Sequence, residues 1–294
     1  MNMKHTDILF LTALTSLSLV ACGKIAGPGP APAITIQAGI GTMTKVATAG
    51  DKAAFESGDK IGVYAWTGSA ETVPSTRVVD GVVNTFDGTK WTPAVQMLWD
   101  DNSTKHYFLG VSPARHVASF TSDPYVLDVF DYAACDLLIA TNLTGLTSKD
   151  NPVKLGFDHA MARLDVNLSF LNQWTTAPTV ASVTAAAKKA AMVDYLAKKV
   201  TATGDADAVE LKAKDNASWS GLQVPQSGVR TLTITIDGQD FVFTHTADIP
   251  LVSGKYTTVN LIVGRDRVEL ASDITVADWT AGITLNGDVF KPAQ

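Results

Sequence analysis

Apolar and polar residues alternate along much of the chain, and a period of two is typical of half-buried β-strands. The predicted strands are Ile34–Ala38, Ile61–Trp66, Arg77–Val83, Lys105–Val111, Tyr125–Phe130, Asp136–Thr141, Lys154–Phe170, Arg230–Ile236, Phe241–Thr246, Gly254–Val263, Val268–Leu270 and Ile274–Trp279. Asp-Gly pairs at 80–81, 87–88 and 237–238 supply turns between them. Short strands at even spacing predict an all-β protein made of sandwiches or barrels.

The segment Lys154–Phe170 has the clearest alternation, but its apolar parity changes part-way along. Leu155, Phe157 and His159 share one face, whereas the apolar face from Ala160 onward is formed by the other parity. A slip of one residue exchanges the two faces of a strand. The pattern therefore predicts either a β-bulge or a break into two strands near His159.

Residues 180–200 give conflicting signals. The stretch AAAKKAAMVDYLAKK is rich in Ala and Lys, which have high helix propensity. The flanking Val180, Val183 and Val200 favour β-structure instead. We expect strands here, with an irregular or short helical insert.

The first 21 residues are predicted to form an export signal. A basic start (Lys4, His5) precedes an apolar run from Ile8 to Val20, which is shorter than the roughly 20 residues of a membrane-spanning helix. The run ends in Leu-Val-Ala-Cys and resembles a bacterial lipoprotein signal, in which the thiol of Cys22 is acylated, as with palmitate, and the chain is cut before it. The alternative is an ordinary signal with an unrelated cysteine. Lipidation ties the chain to a membrane surface outside the cytoplasm.

The composition changes again after the signal. Residues 23–33 (GKIAGPGPAPA) alternate Gly, Pro and Ala, which form neither helix nor ladder and predict an extended tether. A polar break at Phe170–Pro178 separates two strand-rich halves. The predicted organisation is a signal peptide at 1–21, a tether at 22–33, an N-terminal β-sandwich at 34–172 and a C-terminal β-sandwich at 173–294.

The composition allows buried cores and argues against nucleic acid as a partner. The chain is 46% hydrophobic and 18% charged. Its net charge of −6 comes without basic runs, whereas nucleic-acid binding needs clustered Lys and Arg. Cys22 and Cys135 are the only cysteines. If Cys22 carries lipid, Cys135 has no partner, and we expect it to be a small buried hydrophobe.

No sequence motif of catalysis, metal binding or nucleotide binding is present. The histidines at 106, 116, 159 and 245 are each expected to be structural or surface residues, although a spatial Ser–His–Asp set stays open. Asp205, Asp207 and Glu210 loosely resemble a calcium loop but lack its turn glycine and its spacing, so a solvated acidic loop is favoured. We predict no catalytic residue, no metal and no cofactor.

The tryptophans offer a further interpretation. The six are Trp66, Trp91, Trp99, Trp174, Trp219 and Trp279. Their faces suit either core packing or a platform on which sugar rings stack, and core packing is favoured.

Four pieces of the sequence follow one another in an order typical of a known family. They are the lipoprotein signal ending at Cys22, TKVAT…FESGDKIGVYAW (Thr44–Trp66), VKLGFDHAMARLDVNL (Val153–Leu168) and LVSGKYTTVNLIVGRDRVEL…ITVADWTAG (Leu251–Gly282). Together they resemble the fimbrillin family, the type V pilins of Bacteroidales, over nearly the whole chain. The resemblance implies two tandem transthyretin-like β-sandwich domains and no catalysis.

The resemblance also implies a mechanism of assembly. Members are exported as lipoproteins and then cut by a trypsin-like protease after a basic residue near the N-terminus. The cut frees an N-terminal strand and opens a hydrophobic groove, into which the terminal strand of a neighbouring subunit inserts. A sandwich that lacks a strand exposes unpaired backbone groups beside apolar surface, which is a template for strand addition. Because groove and strand lie at different places, the contact is head-to-tail and builds a filament.

Carried over to this chain, the resemblance places the cut at Lys45, where the family usually has Arg, so a protease that accepts Lys is required. A solvated loop lysine is the alternative. The removable strand is Ile34–Ala38, with Ile34 and Ile36 as its apolar residues. The candidate donor strand is Ile283–Phe290, in which Ile283, Leu285, Val289 and Phe290 fill pockets. The pair Asn286-Gly287 favours a local hairpin as the alternative.

The favoured hypothesis is a non-enzymatic fimbrial subunit on the outer membrane that serves adhesion. Its expected partners are other fimbrial subunits, the outer membrane through the lipid, a maturation protease and a host or bacterial surface receptor. The alternatives are a surface lipoprotein that binds glycans through exposed aromatic residues, and a lipid-anchored hydrolase.

Overall fold

The computed structural model describes residues 31–41, 54–129, 131–174, 176 and 178–279. These described residues belong to one compact unit that begins at Ala31. The predicted signal peptide and residues 22–30 of the predicted tether lie outside them. Across the described ranges, no helix is both long enough and apolar enough to cross a membrane.

The alternating segments fold into β-strands, so the prediction of an all-β protein is confirmed. The strands are β1 (Ile36–Ile40), β2 (Lys60–Thr67), β3 (Val79–Phe86), β4 (Trp91–Pro93), β5 (His106–Ser112), β6 (Asp123–Val126), β7 (Leu138–Leu146), β8 (Val153–His159), β9 (Ala162–Phe170), β10 (Val180–Ala187), β11 (Ala190–Asp194), β12 (Lys199–Thr203), β13 (Asp207–Glu210), β14 (Lys212–Ala213), β15 (Ser218–Gln223), β16 (Thr231–Ile236), β17 (Gln239–Thr244), β18 (Lys255–Val263), β19 (Val268–Leu270) and β20 (Thr275–Asp278). A single helical turn, α1 (Tyr132–Cys135), and a 3-10 turn at Ser148–Asp150 lie between strands.

Seven strands from the first half of the chain form one sheet in the order β1-β8-β7-β5-β2-β3-β4. β1 runs parallel to β8, and the other neighbours are antiparallel. β2 lies in the interior of this sheet and is buried on both faces, because Ile61 and Val63 enter one core while Tyr64 and Trp66 enter another. A strand that is apolar on both faces needs a core on each side.

Two cores result. The N-terminal core consists of Ile34, Ile36, Ile40, Phe55, Ile61, Val63, Ala65, Val79, Trp91, Met97, Trp99, Phe108, Leu138, Ala140, Val153, Leu155 and Phe157. The main core lies on the other face of the seven-stranded sheet and continues through the later strands, with Leu109, Ile139, Val166, Ile234 and Leu261 among its members.

The later strands form three further sheets. One has the order β14-β15-β9-β18-β19, with β20 also paired to β18; the second has the order β13-β10-β16-β17; the third has the order β12-β11-β6. Alternate residues of the first two sheets share the main core, as expected of two sheets packed face to face. The division of the chain into two domains at residue 172 stays a prediction.

The parity change in the segment Lys154–Phe170 marks a break into two strands. β8 buries Val153, Leu155, Phe157 and His159 and ends there; β9 buries the opposite parity from Ala162 onward. The two strands belong to different sheets, so the predicted break, and not a bulge, resolves the pattern.

Residues 180–200 are strands, as expected, but without a helical insert. β10 and β11 are joined by residues 188–189 and belong to different sheets, and β11 leads to β12 through residues 195–198, with Lys198 at a φ of 50°. Ala185, Ala187 and Ala191 are buried in the main core. Burial against neighbouring strands outweighs the intrinsic helix propensity of these alanines.

Candidate functional site

The first described residues, 31–41, form an edge strand of the seven-stranded sheet. Within this N-terminal segment, Ile36 lies opposite Val153 and Ile40 opposite Phe157 in parallel register. The Val153 N–H donates to the Thr35 carbonyl at 2.8 Å, and the Gly41 N–H donates to the Phe157 carbonyl at 2.7 Å. The second half of the segment is thus held by β8.

The first half is held by a different part of the sheet. The Ile34 N–H donates to the Met97 carbonyl at 2.8 Å, and the Trp99 N–H donates to the Pro32 carbonyl at 3.1 Å. Met97–Trp99 follows β4, which is the opposite edge of the sheet from β1. The N-terminal segment therefore joins both edges of the sheet, and we call the surface that it fills between β8 and Met97–Trp99 the groove.

The side chain of Asn151, just before β8 begins, hydrogen-bonds the N-terminal segment as the backbone of a neighbouring strand would. Its side-chain oxygen accepts a hydrogen bond from the Thr35 N–H at 2.9 Å, and its amide nitrogen donates to the Ala33 carbonyl at 3.1 Å. Both bonds go to backbone groups, so they are available to any extended segment in the groove. No pattern in the sequence indicates this contact, because 116 positions separate Asn151 from Thr35.

The groove is lined by the N-terminal core. Ile34, Ile36 and Ile40 are 2%, 7% and 8% exposed, so all three are buried. In the same core Phe55 meets Phe157, the β8 neighbour of Ile40, edge-on with ring centroids 5.3 Å apart. The sequence predicts Ile34 and Ile36 as the apolar residues of this strand, and both lie in the groove; it misses Ile40, which continues their parity.

His106 fixes the wall formed by Met97–Trp99. The Asp100 N–H donates to Nε2 of His106 at 3.1 Å, and Nδ1 of His106 lies 2.9 Å from the Thr104 carbonyl. An amide N–H only donates and a carbonyl only accepts, so the neutral ring with its proton on Nδ1 satisfies both. Trp99 packs edge-on against this imidazole at 5.0 Å. His106 is a structural residue, as predicted.

The remaining predicted site residues lie outside the described part of the chain. Cys22 precedes it, and Lys45 falls between Gly41 and Ala54. The donor residues Ile283, Leu285, Val289 and Phe290 follow Trp279, the last described residue. Their roles, and the removable character of Ile34 and Ile36, stay predictions.

A second polar cluster, Asp136–His159, lies at the end of β8. Nδ1 of His159 is 2.8 Å from Oδ1 of Asp136, and the imidazole stacks on the indole of Trp279 with ring centroids 4.0 Å apart. The side chain of His159 is 3% exposed. The indole covers the buried ring, and the pair packs β8 against the residues that precede position 280.

An open cavity of about 700 Å³ borders the groove wall at Met97–Trp99. Arg77, the cationic residue of its lining, is already engaged: the guanidinium bonds Asp80 and the Val117 carbonyl and lies 4.1 Å from the centre of the Phe120 ring. This arrangement is that of a structural arginine.

The tryptophans do not form an exposed platform, so the glycan-stacking interpretation is wrong for this structure. Five of the six are buried at 8% exposure or less. Trp174 is half-buried and packs against Phe241, with the Arg265 guanidinium 5.2 Å from its ring centre. Their large apolar area is used inside the cores, as the favoured prediction states.

The acidic loop and the free cysteine are also structural. Asp205, Asp207 and Glu210 are exposed, and Asp207 pairs with Lys189 at 2.8 Å. Over the described ranges, no group of three or more His, Cys, Asp or Glu residues could hold a metal ion. Cys135 is buried, as predicted, and its carbonyl accepts the hydroxyl of Tyr125 at 2.6 Å; burial raises the pKa of Tyr125 above its usual range.

Comparison with known proteins places this geometry in context. A family model described as fimbrillin-like matches residues 44–279. No curated protein sequence matches the chain.

Several solved structures share the fold. A candidate cell adhesion protein from Bacteroides uniformis has a TM-score of 0.65 at 20% identity, covering 84% of this chain and 98% of that one. Another from Bacteroides ovatus has a TM-score of 0.67 at 14% identity, covering 86% and 100%. A fimbrial protein from Bacteroides vulgatus has a TM-score of 0.51 at 11% identity, covering 84% and 99%. At these identities the likeness shows the fold alone.

Proposed function

Because the chain belongs to the fimbrillin-like family, we propose that it is a non-enzymatic fimbrial subunit that is exported as a lipoprotein, matured by proteolysis and assembled by β-strand exchange. It serves cell adhesion within a fimbrium on the cell surface. Cys22 carries the lipid that holds the precursor to the outer membrane, and residues 22–33 form the tether. Its partners are other fimbrial subunits, the maturation protease and a receptor on a host or bacterial surface.

The observation that carries this proposal is the way in which the N-terminal segment fills the groove. It is an edge strand at the start of the described chain, bonded through its backbone to β8, Asn151 and Met97–Trp99. Lys45 follows it by only four residues after Gly41. A cut at Lys45 turns the segment into a separate peptide that only non-covalent contacts hold.

Loss of that peptide is costly, which is why another strand is drawn in. Burying one isoleucine side chain contributes roughly 1.5–3 kcal/mol, so Ile34, Ile36 and Ile40 together contribute roughly 5–9 kcal/mol. A whole domain is stable by only about 5–15 kcal/mol. An emptied groove also leaves the backbone groups of β8 unpaired. A strand from a second subunit restores both the buried apolar side chains and the backbone hydrogen bonds of β8.

The polarity of the contact produces a filament. The groove is built from residues near the N-terminus, whereas the proposed donor is Ile283–Phe290 at the other end of the sequence. Each subunit therefore accepts one strand and donates another, and such a head-to-tail contact continues without closing.

A cleavage assay on the purified chain tests this function. Limited digestion with a trypsin-like protease is followed by size-exclusion chromatography and denaturing electrophoresis without boiling. The wild-type chain is expected to form a ladder of oligomers after cutting and to stay monomeric without it. Lys52→Ala serves as the matched control for Lys45→Ala; the control forms the ladder, and Lys45→Ala does not. Deletion of residues 283–294 abolishes the ladder while leaving the cut intact.

Two results would count against the proposal. A cut wild-type chain that stays monomeric removes the strand-exchange function. Oligomers that form equally well without residues 283–294 remove the donor role of that segment.

A further inference from the structure

β17 is an edge strand of the sheet β13-β10-β16-β17, far in the chain from the groove. It pairs with β16 through the two-residue turn Asp237-Gly238, so that Ile236 lies opposite Gln239. At the other end of the hairpin the His245 N–H donates to the Arg230 carbonyl at 2.8 Å. In an antiparallel pair, residues that exchange backbone hydrogen bonds alternate with residues that do not. The odd-numbered residues of β17 therefore bond β16.

The even-numbered residues of β17 direct their backbone groups away from β16. The N–H and C=O groups of Asp240, Val242 and Thr244 lie along the outer edge, where no strand of the described chain pairs with them. All three residues are exposed, and Val242 is 56% exposed. Sheet edges are commonly protected by proline, lysine or a bulge. The sequence of β17, QDFVFT, has neither proline nor lysine, and its pairing with β16 has no bulge.

This edge is complementary to itself. When two copies lie antiparallel about a two-fold axis through Val242, the valine is opposite itself and Asp240 is opposite Thr244. Each outward-directed residue then meets another, so the three positions form six backbone hydrogen bonds. A shift of two residues in either direction places Val242 opposite Asp240 or Thr244. It also leaves one of the three positions opposite a residue outside the strand.

The side chains favour the same register. On the exposed side the two valines meet on the axis, and the Thr244 hydroxyl of one copy faces the Asp240 carboxylate of the other, so no like charges are opposed. One oxygen of Asp240 accepts the Thr235 hydroxyl at 2.8 Å, and the other oxygen can accept Thr244 of the second copy. On the core side Phe241 lies opposite Phe243 of the second copy, which continues the apolar side of the sheet across the axis.

We propose that β17 is an interaction surface for a second copy of this chain, and that two copies pair along it antiparallel about Val242. The two four-stranded sheets then become one sheet of eight strands. The contact is isologous and closes as a dimer, whereas the contact of the proposed filament is head-to-tail. It lies in a different sheet from the groove and requires no cut, so it goes beyond the proposed function.

The size of the contact sets the concentration at which it forms. Each copy contributes one strand of six residues. Such a strip buries less than the roughly 1,000 Å² of a stable interface, so we expect a dimer at protein concentrations on the order of 1 mM and a monomer at about 10 µM. Sedimentation equilibrium of the purified, uncut chain over this range measures the dimerisation.

Reversal of charge on the axis tests which residues meet. Val242→Lys and Val242→Glu each oppose two like charges, and each is expected to weaken dimerisation by about tenfold or more. An equimolar mixture of the two variants is expected to dimerise as well as the wild type, because Lys then meets Glu. Val126→Lys, at an exposed valine of β6, is the matched control and is expected to leave dimerisation unchanged.

Disulfide trapping tests the register. Cysteines at position 242 of both copies have Cα atoms about 5.5 Å apart, within the range of a disulfide. Cysteines at position 244, which is equally outward, are offset by four residues, or about 13 Å along the strand. With Cys22→Ser in both chains, Val242→Cys is expected to form the cross-linked dimer at least about tenfold faster than Thr244→Cys on non-reducing electrophoresis.

Three results would overturn the inference. A wild-type chain that stays monomeric over the whole range removes the surface. Lys and Glu variants that dimerise like the wild type, or that do not dimerise when mixed, show that Val242 does not lie on the axis. Equal cross-linking at positions 242 and 244 removes the register. Because every measurement uses the uncut chain, each of these results leaves the proposed strand exchange standing.

Discussion

Ile34, Ile36 and Ile40 lie on the buried side of the N-terminal strand, whereas the polar Thr35 and Gln37 lie on its exposed side. Alternation alone allows this to be predicted for Ile34 and Ile36, because the period of a strand is two. It does not indicate that Asn151 binds the same segment, since that contact depends on how β8 is placed by the rest of the sheet. At this scale the sequence predicts which residues are apolar anchors but not which residues receive them.

Ile36→Ala in the uncut chain tests the value of one anchor. We expect a loss of about 3 kcal/mol in the free energy of unfolding, because the change leaves a cavity in the N-terminal core. Gln37→Ala, at the adjacent exposed position, is expected to change it by less than about 0.5 kcal/mol. Urea unfolding measures both, and equal effects would contradict the burial of Ile36.

The acid side of the stability profile depends on aspartates that cap turns. Hydrogen bonds from the Lys90 N–H, the Thr89 hydroxyl and the Thr89 N–H lower the pKa of Asp87 to about 2. An unfolded Asp has a pKa near 3.9, so this carboxylate stabilises the folded chain above about pH 4, and the effect is lost as the pH falls through about 2. Asp87→Asn is therefore expected to flatten the fall in Tm between pH 4 and pH 2. A profile identical to the wild type would show that the turn does not depend on the charge.

Among the elements, strand identity was predictable where side chains alternate and difficult where they do not. The break between β8 and β9 follows from the parity change at His159, and the hairpin of β16 and β17 follows from Asp237-Gly238, whose φ angles are 52° and 76°. Residues 180–200 required tertiary context, because alanine has no strand preference of its own. Short strands such as β4 and β14 have too few residues for an alternation of apolar and polar positions to be recognised in the sequence.

Gly110 in β5 shows how an element is shaped by its neighbour. A Cβ at this position would lie 2.6 Å from the Phe157 ring and 3.1 Å from Leu155. Gly110→Ala is therefore expected to displace Phe157, which lies opposite Ile40 on β8, and to cost about 1–3 kcal/mol of folding stability. Gly156→Ala, whose Cβ would meet the Gly41 carbonyl at an ordinary 3.7 Å, is the matched control. Thermal unfolding of the two variants decides, and equal Tm values would contradict this account of the packing.

For the whole molecule, the pairings that define the candidate site are the ones that sequence reasoning misses. β1 joins β8 across more than a hundred residues, and β9 runs parallel to β18 in another sheet. The alternation of apolar and polar residues shows which side of a strand is buried. It does not show which strand lies next to it, since many strands have compatible patterns. The all-β class could therefore be predicted from composition and alternation, whereas the groove and its two walls could be recognised only from the fold.

Native mass spectrometry of the chain after cutting at Lys45 tests the central claim, that one strand replaces another, most directly. In an open head-to-tail chain, every groove except one is filled by a neighbour, so an oligomer of any length is predicted to retain a single copy of the N-terminal peptide, while the cut monomer also retains one. Oligomers that keep one peptide for every subunit would show that the copies associate without exchanging strands, and would contradict the account.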